Sequence, residues 1–558
     1  MAVHNGVNYN RAKGAEHTST TIPAPNKGID ARSNLASMAM DSCVYSYNVV
    51  SSEEGLKVRP GYREWNIDVE NVDTEGLGIT TLISYTSATY SKLYAVSNEG
   101  IFDAATFDDG PWVGEALATF STVNASAGHG VWVPYIDQSG EEWIFYADSV
   151  NGLYECKLSA GTWNTYGTDG GTGFTGGTVP TVGNINFIVH HKQRLWFIEE
   201  DAAKAWYLGV DAISGAPSQF YFGGKFRKGG DLVGLYNWSV DGGNGIDDFL
   251  VAISTGGDVL PYRGSDPTQP DWENKAAFNI GQVPLGGRIA AEYAGELYIL
   301  SSYGIIAMSD LLRGVQIKDI NQPGSLSFKI ARLLRGEIRS KGDLRGWQIG
   351  FIPSLGTLVV NTPLGAGGNY IQYVMNLGVG GWGVWRGVPM VCFTEWERGL
   401  FFGSATGNIY AMDRDKDNIT ITDPALPDIN GEDIDFSILT AFSTLNQPAH
   451  QKQVQFIRPD FIASGQPVFE VKPVYDYAIS ELMEVTGSDP DNNVDVWDTG
   501  TWDTTLWASA GENFAFNTVF GGGGMGRNVA VAMRGSTGWS TTFVSFDVVY
   551  SEGRSFGL

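Results

Sequence analysis

A short unit recurs along the middle of this chain: a strand opening on leucine and an aromatic residue, a turn, then glycine followed by another apolar strand. It reads LYAVSNEGIF from Leu93, WIFYADSVNGLY from Trp143, LWFIEEDAAKAWYL from Leu195 and FLVAISTGGDVL from Phe249. It returns as LYILSSYGII from Leu297, LVVNTPLGAGGNYIQYV from Leu358 and LFFGSATGNIY from Leu400. Successive starts lie roughly 40 to 60 residues apart, the spacing of propellers and related arrays. Most copies follow a further apolar run, such as ITTLISY, GVWVPYI, INFIVHH or RIAAEY. Each period therefore holds three or four strands joined by Gly- or Asn-containing turns. One such sheet cannot bury both of its faces, whereas a ring of them can. The pattern predicts an all-β protein whose residues 76–415 form a β-propeller of six or seven blades. A meandering β-sandwich is the alternative.

The rest of the chain frames that array. Residues 1–75 read as a polar arm followed by a compact platform segment. After a linker rich in Asp and Pro, residues 416–558 alternate like strands in FSILTAF, VQFIRPDFIA, VFEVKPVYDY, NVAVAMRG and TTFVSFDVVYSEG. The flanks are expected to build an additional β-sandwich-like platform domain. The 72 glycines and 41 Trp and Tyr residues fit tight turns between aromatic-rich strands.

One segment breaks the pattern. SLSFKIARLLRGEIRSK, residues 325–341, sets Leu326, Ile330, Leu333, Leu334 and Ile338 at helical spacing, with Ser325 or Ser327 as the cap. Its other face carries Lys329, Arg332, Arg335, Arg339 and Lys341, a basic concentration in a chain of net charge −26. Two readings stand: a solvated face of one inserted helix, or a subunit or partner interface that docks on an acidic neighbour.

Searches for chemistry return little. There is no GxSxG elbow and no GxxxxGK[ST] loop, and the histidines His4, His17, His129, His190, His191 and His450 form no nucleophile–base pattern. His190 and His191 interrupt an apolar strand, so one should face in and one out. Gly378, Gly380 and Gly383, like Gly521, Gly523 and Gly526, match GxGxxG. Strand-like sequence follows each match where a dinucleotide site needs a helix, so both are rejected. Asp413, Asp415 and Asp417 resemble the opening of a calcium loop, as do Asp489, Asp491, Asn493 and Asp495. The twelfth positions are Pro424 and Gly500 where a bidentate Glu is needed, which favours solvated acidic loops. No catalytic residue, cofactor or metal is expected. Cys43, Cys156 and Cys392 lie too far apart in sequence for a CxxC pair and read as buried thiols of a reducing compartment. No secretory signal or membrane-spanning segment is expected.

Three stretches in this order resemble the podovirus tail nozzle proteins, the tail tubular protein B-like family. IPAPNKGIDARSNLASMAMDSCVYSYNVVSSEEGLKVRPGYREW, residues 22–65, ends in an Arg59-Pro60-Gly61-Tyr62 turn. YGIIAMSD from Tyr303 leads into the SLSFKIARLL segment. GGWGVWRGVPMVCFTEWERGLFFGSATGNIYAMD, residues 380–413, is similar to a late blade of that family. The resemblance implies a structural, non-enzymatic virion protein, assembled in the host cytoplasm as a homohexamer at the distal end of a short tail. It implies a tail adaptor above, fibres, spikes or a needle as further partners, and double-stranded DNA held back and then conducted during ejection. An acidic lumen would limit adhesion of DNA phosphates. The alternative is a carbohydrate-active propeller, a glycosidase or a receptor-binding tail protein.

Overall fold

The computed structural model describes residues 17–67, 78–106, 108–111, 116–168, 172–241, 246–315, 324–365, 367–419, 431–465, 467–479 and 519–555. The protein is all-β with few helical turns. It divides into two compact units, Met1–Val58 with Asp435–Leu558, and Arg59–Ile434. The unit boundaries thus fall after residues 58 and 434 rather than after 75 and 415. The physical reason is strand pairing: Gly61–Ile67 lies antiparallel on Ile409–Arg414, and residues 417 and 419 bridge to Glu432 and Arg63.

Within the unit Arg59–Ile434 the described residues build seven successive groups of antiparallel strands, with a short parallel pair, Gly173–Phe174 on Ser214–Gly215, beside the third. Their first strands are Ile79–Thr86, Val131–Ile136, Ile185–His191, Leu232–Asp241, Ala290–Tyr293, Gln348–Ile352 and Cys392–Trp396. All seven copies of the sequence repeat fall on the second strands, Ser91–Ser97, Glu142–Asp148, Arg194–Glu199, Ile246–Ser254, Glu296–Ser301, Thr357–Asn361 and Gly399–Gly403. These second strands are apolar on both faces because each sheet is covered on two sides. Leu93, Tyr94, Ala95 and Val96 are all buried, as are Trp143 through Ala147.

Neighbouring sheets meet along hydrophobic seams. Ile83, Tyr94 and Val96 of the first sheet pack on Ile144, Tyr146 and Trp163 of the second. Phe145 and Leu153 of the second meet Ile188, Phe197 and Trp206 of the third. A third seam joins the last sheet to the first, where Cys392, Trp396, Phe401 and Ile409 pack on Ile79, Leu82, Leu93 and Phe102. Burying each such side chain contributes about 1.5–3 kcal/mol, so the seams dominate the stability of this unit. The last sheet is itself composite: its fourth strand is Gly61–Ile67, from the start of the unit.

The other unit holds two antiparallel groups of strands. In one, Thr541–Ser555 runs along His450–Ala463 and also receives His17–Pro23. In the other, Ile434–Thr440 pairs with Cys43–Tyr47, and Val529–Thr537 with Val468–Tyr475. Phe461 and Phe469, with ring centroids 4.8 Å apart, join the two groups.

The fifth sheet carries the inserted helices. α1 is Met308–Leu312, a single short turn following the strand Gly304–Ala307. α2 is Ala331–Lys341, preceded by a tighter turn over Phe328–Ile330. The helix expected over 325–341 therefore begins later, and neither serine caps it. The Ser327 hydroxyl instead accepts a hydrogen bond from the Ile305 N–H at 2.8 Å, tying the segment to the neighbouring hairpin. This close approach explains Gly304: a Cβ there would lie 2.5 Å from the Ser327 oxygen. Ile330, Leu334 and Ile338 are buried as the spacing requires. Leu326 and Leu333 are not; each remains 37% exposed.

Candidate functional site

α2 presents the basic residues singled out from sequence. Arg332 and Arg339 are exposed, Arg335, Lys329 and Lys341 partly so. Positions 332, 335 and 339 share one side of the helix, three and four residues apart. Leu333 adds exposed apolar surface beside them. Lys341 pairs with Glu337 at 3.0 Å, one turn earlier. The surface thus combines arginines able to form bidentate contacts with a leucine that loses water on docking.

The C-terminal end of α2 runs directly into a cavity of about 380 Å³, which sequence reasoning did not foresee. Its lining comes from the entry to the first sheet (Gly78, Thr80), the loop between the first two sheets (Ser126, His129), the loop after α2 (Asp343 to Gly346) and the entry to the last sheet (Val391). Hairpin loops add Asn98, Pro363, Leu364 and Ala405. These are the loops at the N-terminal ends of the sheets' first strands.

Two buried polar atoms on residues lining this cavity have no hydrogen-bond partner, Oδ1 of Asn98 and Nδ1 of His129. The Asn98 amide nitrogen is already committed, donating to the Asn124 carbonyl at 2.7 Å. Beside them Arg288 donates to the Thr80 carbonyl at 2.9 Å and to Oε1 of Gln348 at 3.2 Å, both neutral acceptors. Among the described residues no carboxylate lies within ion-pair distance of Arg288. Arg345 donates to Glu200 at 3.2 Å on the rim. Burial pulls the His129 imidazole down to about 3, and the nearby Arg288 and Arg345 charges push it the same way, so it is neutral at pH 7. Asp343 and Arg345 both line the cavity, so charges of both signs meet at its wall.

The remaining candidates have structural occupations. His191 is buried and its Nδ1 lies 2.8 Å from Oδ1 of Asn237, while His190 sets its ring edge-on to Tyr135. One histidine thus faces in and the other partly out, as the alternation requires. Asp417 is paired with Arg59 and Asp413 with Arg63, so these carboxylates serve as ion-pair partners. No group of three or more potential metal ligands occurs among the described residues. Asp489, Asp491, Asn493 and Asp495 lie outside the described residues. Strands Trp382–Arg386 and Val529–Thr537 follow the two GxGxxG matches, so neither meets a helix N-terminus. Cys43, Cys156 and Cys392 are buried free thiols. Burial pushes the Cys156 thiol up to about 12. Among the described residues no helix is long and apolar enough to cross a membrane.

No protein-family model matches the chain, and no curated protein matches it either.

Arg288 and His129 left a faint sequence signal at most. Each is a lone polar residue at a strand entry, and only the convergence of loops from distant sheets gives the pair meaning.

Proposed function

We propose that this chain is a structural virion protein, the distal nozzle of a short phage tail. In this reading the seven sheets form a closed β-propeller, and copies associate as a homohexameric ring that holds back and then conducts DNA. The ring binds a tail adaptor on one side and fibres, spikes or a needle on the other, and does no bond chemistry. One observation supports it above the rest. The Arg59-Pro60-Gly61-Tyr62 motif leads into the strand Gly61–Ile67, which pairs with the LFFGSATGNIY hairpin, the second motif that carries the resemblance, although about 340 residues separate the two. Their order in the chain thus has a structural basis, because the first leads into the strand that continues the sheet beyond the second.

Identical copies around a six-fold axis need two different, complementary faces. The arginines of α2 suit one face, and the acidic remainder of the chain suits the other. Mass photometry and negative-stain images of the purified chain test the reading. A six-fold ring with a central opening supports it; a monomer that clears polysaccharide overturns it. The cavity favours a second reading, a carbohydrate-binding propeller, which the same experiment separates from the first.

A further inference from the structure

We propose that the strand His17–Pro23 is a docking edge, on which the same strand of a second copy of this chain pairs antiparallel about a two-fold axis. The strand lies on Thr541–Ser555 in an unbroken register, from His17 opposite Ser551 to Pro23 opposite Ser545. Ala24, just beyond it, donates its N–H to the Val544 carbonyl at 2.9 Å. Backbone groups alternate sides along a strand, so Thr18, Thr20 and Ile22 also turn theirs toward Thr541–Ser555. Ser19 and Thr21 therefore turn both N–H and C=O outward, where no further strand pairs with them among the described residues. Pro23 falls at the next outward position, the place in an edge strand where a missing N–H costs the ladder nothing.

Folded proteins guard an open edge with charge, proline or shortness. The other long edge strand of this unit is guarded: Val468–Tyr475 carries Glu470, Lys472 and Pro473 along its length. His17–Pro23 holds no acidic residue, lysine or arginine, and its one proline stands at the end. His17, Ser19, Thr21 and Pro23 are exposed. A second copy of the same strand matches this edge. With Thr20 opposite Thr20 on the axis, Ser19 of each copy meets Thr21 of the other, and each such pair exchanges two N–H···O=C bonds. No like charges meet across the axis, and Thr–Thr contacts are favourable cross-strand pairs. The contact is small, so the pairing is weak. It goes beyond the proposed ring, since a two-fold axis adds a contact that cyclic six-fold symmetry lacks, and α2 takes no part in it.

Sedimentation velocity of the full chain, over concentrations up to about 100 µM, tests this. The native chain is expected to show a concentration-dependent doubling of its mass, with a Kd of about 100 µM or tighter. Ser19→Pro removes an outward N–H that the fold does not use, and Ser19→Lys places a charge on the edge. Each should weaken the pairing at least about tenfold while the melting temperature stays unchanged. Where Ser19→Pro lowers the melt, Ser19→Lys carries the comparison. Thr20→Cys supplies a gain instead of a loss. Opposed Cα atoms about 4.5 Å apart at that pair suit a disulfide, so oxidation should yield a covalent dimer on a non-reducing gel. Ser19→Cys meets its counterpart only diagonally, about 7–8 Å away, and should link far more slowly. The native thiols Cys43, Cys156 and Cys392 are buried and stay out of the reaction. No doubling at about 100 µM, or doubling that keeps its affinity in Ser19→Lys, overturns the inference. Equal linking of Ser19→Cys and Thr20→Cys overturns the antiparallel two-fold register. A six-fold ring without this pairing sinks the inference alone, and the pairing without a ring sinks the nozzle reading alone.

Discussion

Arg59 donates both terminal guanidinium nitrogens to the carboxylate of Asp417, 358 positions later in the sequence. The arginine side chain is 2% exposed and the aspartate 14%, so the pair is largely removed from water. It sits where the first strand of its unit joins the last sheet. Tyr62, three residues after Arg59, lies edge-on to Phe402 and Tyr410.

Removing one member of a buried pair strands the other charge. Arg59→Ala or Asp417→Ala is therefore expected to cost about 3–5 kcal/mol, and the double variant less than the two single costs combined. Urea denaturation of the three variants reads this. Additive costs would mean that the two residues act independently.

Gly403 tests the seam between the last and first sheets. A Cβ there would lie 2.4 Å from Cγ2 of Ile79 and 3.1 Å from Sγ of Cys392. Gly403→Ala should lower stability by about 1–3 kcal/mol, the usual cost of overpacking. Ile79→Ala removes the Cγ2 that the new methyl meets, so it should cost less in the Gly403→Ala background than in the native chain. A neutral Gly403→Ala would show that the seam yields to an added methyl.

Charge reversal on α2 addresses assembly. Arg332→Glu, Arg335→Glu and Arg339→Glu together alter exposed or partly exposed positions, so the fold should hold within about 0.5 kcal/mol per site. Oligomer formation should fall, and wild-type assembly should weaken as salt rises above about 0.5 M. Full assembly of the triple variant removes α2 from the interface.

The pH response has a definite sign. Burial lowers the His191 imidazole to about 4 and that of His129 to about 3, both from 6.5. Below pH 6.5 the unfolded chain takes up protons that the folded chain refuses. The stabilisation is therefore complete above that pH and declines as pH falls toward 4. Each histidine contributes a slope of about 1.4 kcal/mol per pH unit in that window. Denaturation midpoints at pH 7, 6 and 5 should fall more steeply for the native chain than for His191→Gln. Parallel curves would assign the response to other groups.

Much of the architecture was legible because burial on both faces forces a compositional signature. The seven Leu-aromatic repeats mark second strands, whose neighbours on either side are other sheets. Elements with weaker burial were harder to read. Gly61–Ile67 looked like part of the amino-terminal flank because its partner lies far away in sequence, and no local pattern encodes such pairing. The expected cap at Ser327 failed for a similar reason: a tertiary hydrogen bond to Ile305 outcompeted the local one. The surface arginines of α2 were visible as composition. The cavity was not, since its residues come from loops of separate sheets.

The shared last sheet also sets a timetable for synthesis. Its fourth strand leaves the ribosome about 340 residues before the hairpin that receives it. At typical elongation rates of about 5–20 residues per second, that strand waits tens of seconds with its backbone groups unclaimed. Until the hairpin arrives, the nascent chain carries an open edge able to capture a strand from another copy, and fast production of this protein should favour tangled aggregates over native molecules.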